Sequence, residues 1–206
     1  MTHGESVVCT SCLAALPYTD YHTYSHNPVE KLFWGRAALQ AGTALFYFNK
    51  GNRVQRLMHQ LKYHKDTEVG LTIGRMLGSR VMRSERFGKI DLVVPVPLHA
   101  RKLKKRGFNQ SELIARGISE ESGIPMNTEV LYRAINNPTQ TRKSRFDRFR
   151  NVSGVFQLRN YKPHSTQHIL LVDDVVTTGA TLESCITAFQ KTGKTTVSLC
   201  VAACAE

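Results

Sequence analysis

Acid is what this sequence is short of. Sixteen Asp and Glu stand against 28 Lys and Arg, for a formal net charge of +12 and a pI of about 9.7 over 206 residues. Such an excess concentrates polyanions around the chain. Nucleic acid and a pyrophosphorylated sugar are the two candidate partners, and charge alone does not separate them. Long apolar runs are also missing, so no membrane span is expected. The opening residues Met1-Thr2-His3-Gly4-Glu5 lack the apolar core of a signal peptide, and the expected location is cytoplasmic. An even number of cysteines is lacking too. Five cysteines, with three near the C-terminus, do not suggest a disulfide framework. Cys185 and Cys200 read instead as buried small apolar residues. Internal repeats and low-complexity tracts are absent. What remains is one globular core with a small appendage.

The most informative stretch present is Ile169-Leu170-Leu171-Val172-Asp173-Asp174-Val175-Val176-Thr177-Thr178-Gly179-Ala180-Thr181. Four apolar residues in a row predict a strand buried on both faces. Two carboxylates follow where that strand leaves the sheet, then a loop rich in Thr and Gly. Leu182, Ile186 and Phe189 recur at helical spacing after it. Ligands of open α/β sheets bind at the carboxyl ends of strands, and a helix N-terminus favours a phosphate. Backbone N–H groups with the hydroxyls of Thr177, Thr178 and Thr181 form the natural phosphate cradle. Asp173 and Asp174 would repel a phosphate but suit vicinal sugar hydroxyls, which donate hydrogen bonds. The stretch asks for a sugar phosphate.

Residues 1–30 stand apart by composition. Cys9-x-x-Cys12 is half of a structural zinc site, and His22 and His26 have the spacing of a second half, although the gap from Cys12 is short. A complete local site, an unmetallated thiol pair and half of a zinc ribbon stay open, and no metal ligand is assigned. A strand over 43–48 precedes two amphipathic helices, one carrying Val54, Leu57, Met58 and Leu61, the other Val69, Ile73, Met76, Leu77 and Val81. Lys62, at the junction, can reach a phosphate from a helix end. Asp91–Pro97 reads as a second buried strand stopped by its prolines. Residues 98–110 then read as a basic loop at a strand's carboxyl end, followed by a helix from near Ser111 to Gly123. Short strands are predicted over 129–134 and 154–158. The polar segment between them is too long for a tight turn and suits a lid. The signature's helix is expected to reach Gly193, and a last strand runs from Thr195 to Ala202. Alternating strands and helices predict an α/β fold, a doubly wound and mostly parallel sheet.

The thirteen-residue stretch resembles the phosphoribosyl pyrophosphate (PRPP) signature of type I phosphoribosyltransferases at every position. Pro95-Val96-Pro97-Leu98-His99, Arg106-Gly107-Phe108-Asn109-Gln110 and Pro138-Thr139-Gln140-Thr141, with the Asp-Asp signature and in that order, look like the ComF family. Those proteins are phosphoribosyltransferase-like and linked to natural competence for DNA uptake. The resemblance implies a phosphoribosyltransferase-like domain over 31–206, with residues 1–30 the remnant of a zinc ribbon. It implies PRPP bound by Asp173, Asp174, Val175, Val176, Thr177, Thr178, Gly179, Ala180 and Thr181, with Mg²⁺ held through the PRPP. The pyrophosphate loop would be Pro97, Leu98, His99, Arg101 and Arg106, and the flexible lid Thr139, Gln140, Arg142, Lys143 and Arg145. Asp173, Asp174 and Arg106 would carry catalysis, transferring phosphoribose to an unidentified acceptor. The alternative is a competence-type protein that binds single-stranded DNA and keeps the PRPP site as sensor or scaffold. Stacking of bases on Phe108, Phe146 and Phe149, among cations, would serve that role, although such aromatics ordinarily pack inside.

Overall fold

The computed structural model describes residues 13–49, 51, 53–63, 67–134 and 155–205. The elements in chain order are α1 (Pro28–Lys31), β1 (Gly42–Phe48), α2 (Arg53–Tyr63), α3 (Thr67–Met82), a 3-10 turn (Glu85–Phe87), β2 (Leu92–Pro95), α4 (Ala100–Arg106), α5 (Gln110–Ser122), β3 (Leu131–Arg133), β4 (Phe156–Leu158), β5 (Gln167–Val176), α6 (Ala180–Gln190) and β6 (Thr195–Ala205). Four strands form a sheet in the order β1-β6-β5-β2, and every pairing is parallel. The expected α/β sheet is therefore observed.

Ile169, Leu170, Leu171 and Val172 are fully buried, as are Leu199, Cys200 and Val201 beside them. Helices cover both faces, which is why these strands are apolar throughout rather than alternating. One core joins the faces of α2, α3 and α5, with Leu57, Leu61, Ile73, Leu77, Ile114 and Ile118. The other joins α6 and α1 with the β3–β4 pair, through Ile186, Phe189, Val29, Leu131 and Phe156. Burial drives the thiols of Cys185 and Cys200 well above the usual range, which suits their packing role.

Helices α3 and α5 meet at glycines. A Cβ on Gly74 would lie 2.2 Å from the Ile114 carbonyl oxygen, and one on Gly117 would lie 2.2 Å from that of Leu71. No other residue fits a backbone approach this close, so the two glycines set how near α3 and α5 pack. The chain before β1 is anchored on the same core. Thr19 N–H donates to the Leu45 carbonyl at 3.0 Å, and Asn27 Nδ2 donates to the Gly42 carbonyl at 2.8 Å.

Several expectations shift. The run read as a basic loop contains α4, a helix with no buried residue, capped by His99 Nδ1, which accepts from Arg101 N–H at 3.1 Å. A helix without an apolar face leaves no hydrophobic period in sequence. Met76 packs only partly against the core. Strand β5 continues through the acidic pair because β6 pairs with it as far as Val176↔Cys204. Helix α6 stops at Gln190, and β6 extends to Ala205. The short strands β3 and β4 pair antiparallel, apart from the main sheet. Cys9 and Cys12 lie outside the described residues. His22 carries a buried Nδ1 with no partner among the described residues, while the His26 ring packs edge-on against Trp34 at 5.5 Å. Among the described residues no three His, Cys, Asp or Glu side chains gather as metal ligands, and no helix is long and apolar enough to cross a membrane.

Candidate functional site

Strand β5 loses one neighbour before the other. Its ladder with β2 ends at Pro95↔Val172, whereas its ladder with β6 runs on to Val176. The Val96 N–H still donates to the Val172 carbonyl at 2.8 Å, but the Val96 carbonyl accepts from Asn109 Nδ2 at 3.0 Å rather than from a β5 N–H. Asp173 and Asp174 are the first residues past that end, and so they open onto a cavity rather than onto a strand.

The pair is compensated unequally. Asp173 Oδ1 accepts from the Ser111 hydroxyl at 2.8 Å and from the Asp174 N–H at 2.8 Å. Asp174 Oδ1 accepts from the Val175 N–H at 2.7 Å, and its Oδ2 lies 3.1 Å from Lys62 Nζ. Burial, and secondarily the Asp174 charge, pushes the Asp173 carboxyl up to about 7, while Ser111, the Asp174 N–H and Lys62 pull the other way. Asp173 therefore takes up a proton near neutrality, while Asp174 carries the contact to the lysine. Lys62, singled out in sequence for its reach toward a phosphate, rests on the acidic pair.

Beyond β5 lies a small cavity of about 60 Å³, lined by Asp173 and by Val175, Val176, Thr177, Thr178, Gly179, Ala180, Thr181 and Leu182. Every loop residue expected there is present. Gly179 caps α6 at φ +75, and a Cβ on it would sit 3.1 Å from the Phe33 ring, so glycine is required twice over. No side chain caps α6. The first-turn N–H groups are therefore open to an anion, with the helix dipole behind them. Arg36, which sequence reasoning missed, holds the loop from outside. Its Nη1 donates to the Thr178 carbonyl at 2.9 Å and its Nε to Glu183 Oε2 at 3.0 Å. Only the fold brings a residue so far back in the chain to this loop.

A second cavity of about 190 Å³ shares Asp173, Val175 and Thr181 with the first. Its other walls are Val96, Pro97, Leu98, His99, Lys102, Asn109, Gln110, Ser111, Arg133 and Asp174. Of the expected pyrophosphate loop, Pro97, Leu98 and His99 line it. Arg101 and Arg106 do not; Arg101 is exposed, and Arg106 Nη1 donates to Gln110 Oε1 at 2.8 Å. Lys102 and Arg133 supply cations in their place. Arg133 arrives on the β3–β4 pair and lies over the Phe156 ring, 5.6 Å from its centre. Neither Arg133 nor Ser111 belongs to a contiguous motif, so no local signal announces them. The lid residues Thr139, Gln140, Arg142, Lys143 and Arg145 lie outside the described residues, as do Phe146 and Phe149. Phe108 packs against the core. The larger hollow of about 400 Å³ beside Trp34, His26 and Arg86 contains none of the acidic pair or phosphate loop.

The geometry offers a phosphate-sized pocket walled by hydroxyls and helix N–H groups, joined to a larger cavity with carboxylates on one side and cations on the other. No family model matches the chain. Among curated proteins it is 31% identical over 189 residues to the DNA utilization protein YhgH of Escherichia coli (strain K12), covering 88% of this chain and 77% of that one. It is 32% identical over 146 residues to the Salmonella typhi protein of the same name, where the alignment spans 63% of the relative's length and 69% of this chain. Identity to competence protein F of Haemophilus influenzae is 30% over 143 residues, 66% of this chain and 62% of that one. Among solved structures, a glutamine PRPP amidotransferase from B. subtilis complexed with ADP and GMP aligns at TM-score 0.46 and 19% identity, over 69% of this chain and 30% of that one. Adenine phosphoribosyltransferase from Leishmania tarentolae aligns at TM-score 0.43 and 12% identity, over 92% of this chain and 94% of that one.

Proposed function

This chain belongs to the ComF family, and from that premise we propose that it binds PRPP and displaces the pyrophosphate for an acceptor not yet identified. One observation carries the reading: the two cavities adjoin through Asp173, Val175 and Thr181, so one ligand can occupy both. The loop over 177–181 takes the 5′-phosphate. Asp173 and Asp174 accept the ribose hydroxyls. The cavity walled by His99, Lys102 and Arg133 receives the pyrophosphate.

Bond breaking at the anomeric carbon leaves positive charge on the sugar and negative charge on the departing pyrophosphate oxygen. The carboxylates lie on the side where the cation grows, and the basic wall faces the leaving group. A nucleophilic atom of the acceptor then forms the new bond. Mg²⁺ carried on the substrate's own oxygens would offset the phosphate charge. Titration calorimetry with PRPP and Mg²⁺ tests binding, and acceptor-dependent release of pyrophosphate tests turnover. A wild-type chain that shows no heat of binding removes the proposal.

A second reading has its own observation. Helix α4 buries none of its residues and presents Arg101, Lys102, Lys104 and Lys105 to solvent, with Lys102 also lining the cavity. Several relatives carry DNA utilization or competence in their names. Contacts from this helix to single-stranded DNA would be phosphate contacts, with log affinity falling against log salt by roughly 0.7 per neutralised phosphate. PRPP would compete with them. Salt titration of a fluorescent oligonucleotide, with and without PRPP, decides it; no binding at low salt leaves the transferase reading alone.

A further inference from the structure

Helix α5 delivers three consecutive polar side chains to the site. Asn109 Oδ1 caps the helix by accepting from Ser111 N–H at 3.2 Å, and its Nδ2 donates to the Val96 carbonyl at 3.0 Å. Ser111 holds Asp173. Between them Gln110 is 1% exposed, and its Oε1 accepts from Arg106. That bond fixes which end of the carboxamide is which, because the guanidinium can only donate. The Nε2 end is left buried, with no partner among the described residues, on a side chain that lines the larger cavity. A buried unpaired donor is unfavourable, and native structures keep few of them.

We infer that Gln110 is a substrate contact whose carboxamide N–H donates to an oxygen of the ligand in the larger cavity, with Arg106 acting as the residue that positions it. The inference rests on the phosphoribosyl reading above for the chemistry of that oxygen. The oxygen belongs to the pyrophosphate or to a ribosyl hydroxyl, both of which accept from an amide. Arg106, expected from sequence to touch the pyrophosphate, would then act at one remove. Arg106 ends α4 and Gln110 opens α5, so the turn through the left-handed Gly107 is what brings the two side chains together.

Two substitutions separate binding from packing. Gln110→Met removes a donor that the empty protein leaves unsatisfied, so its melting temperature should be equal to or above that of the wild type. Its affinity for PRPP with Mg²⁺ should fall about 10- to 100-fold, the range for one hydrogen bond to a charged group. Gln110→Glu keeps the shape and the acceptor for Arg106 but turns an oxygen toward the ligand, and should bind more weakly still. Calorimetry with ribose 5-phosphate and with inorganic pyrophosphate plus Mg²⁺ identifies the oxygen, since the loss will follow one of the two probes. Arg106→Met should weaken PRPP, and the double variant Arg106→Met/Gln110→Met should bind no worse than Gln110→Met. Unchanged PRPP affinity in Gln110→Met overturns the inference, as does an affinity loss accompanied by a lower melting temperature. Additive losses in the double variant overturn the role of Arg106. A wild-type chain that binds none of the three probes removes the phosphoribosyl reading itself, whereas binding by wild type and Gln110→Met alike removes only the inference about Gln110.

Discussion

Two helices enter the site by their N-termini, and they are built in opposite ways. Helix α6 begins at Gly179 in the left-handed region with no side-chain cap, so its backbone donors are what it offers. Helix α5 begins at Asn109, whose side chain consumes the helix's own donor, so it offers side chains instead. An uncapped end suits phosphate, which accepts from many N–H groups and needs little discrimination. A capped end suits groups that must be placed one at a time, as Ser111 is placed on Asp173.

The sharpest way to test this division is to remove what both helices serve. Asp173→Asn/Asp174→Asn keeps the shape and removes the charge that favours hydroxyl donors. PRPP binding should weaken by about 1.5–3 kcal/mol for each charged hydrogen bond lost. Calorimetry reads it, and equal affinity would end the assignment of the diol to this pair. Next in size is Gly179→Ala. The positive φ alone disfavours a side chain by roughly 1–2 kcal/mol, and the Phe33 ring crowds the new Cβ. Stability and phosphate affinity should fall together, because at an uncapped end the backbone is the ligand site.

Asn109→Ala breaks the comparison from the other side. Loss of a cap lowers stability by about 0.5–2 kcal/mol, with the buried Val96 carbonyl left unpaired as well. Denaturant melts should show the loss while ribose 5-phosphate affinity changes only a few-fold. If affinity drops as far as in Gly179→Ala, the two ends are not divided as described.

pH sharpens the contrast further. Asp173 titrates higher folded than unfolded, so between its ordinary range and about 7 the folded chain binds the extra proton. Its contribution to stability is fully present below the unfolded value and declines as pH rises toward about 7. Diol binding needs the carboxylate, so PRPP affinity should rise over the same window and level off above it. Asp173→Asn should flatten both trends. Lys62→Met carries the smallest expected effect. Its ion pair with Asp174 is half-buried, and exposed pairs contribute about 1 kcal/mol or less. PRPP affinity should move only a few-fold.

The same contrast separates what was legible in sequence from what was not. Helix α6 offers its backbone, so the residues that line the small cavity fall within one contiguous run, from Asp173 to Leu182. The apolar strands and the amphipathic faces of α2 and α3 were equally plain, because burial imposes a period. Helix α5 works through side chains set against distant partners. Ser111 acquires meaning only beside Asp173, and Arg133 only when β3 brings it to the cavity. Helix α4 looks like a loop in sequence because none of its residues is buried and the hydrophobic period that marks a helix is missing. Arg36 is invisible for a simpler reason: it acts from 142 residues away in the chain.

The early end of the β2–β5 ladder has a consequence for solubility. A strand that outruns its neighbour presents unpaired backbone groups to any extended chain that drifts past. Here the N–H of Asp174, which faces the β2 side beyond the ladder's end, is taken up by the Asp173 carboxylate, and the next N–H along, that of Val175, by Asp174. The acidic pair therefore also shields the strand that carries it. Asn substitutions keep an oxygen for each N–H and should leave the chain monodisperse. Replacement of both by Ala exposes a short apolar strand end, and light scattering should show such a protein self-associating at concentrations where the Asn variant stays dispersed.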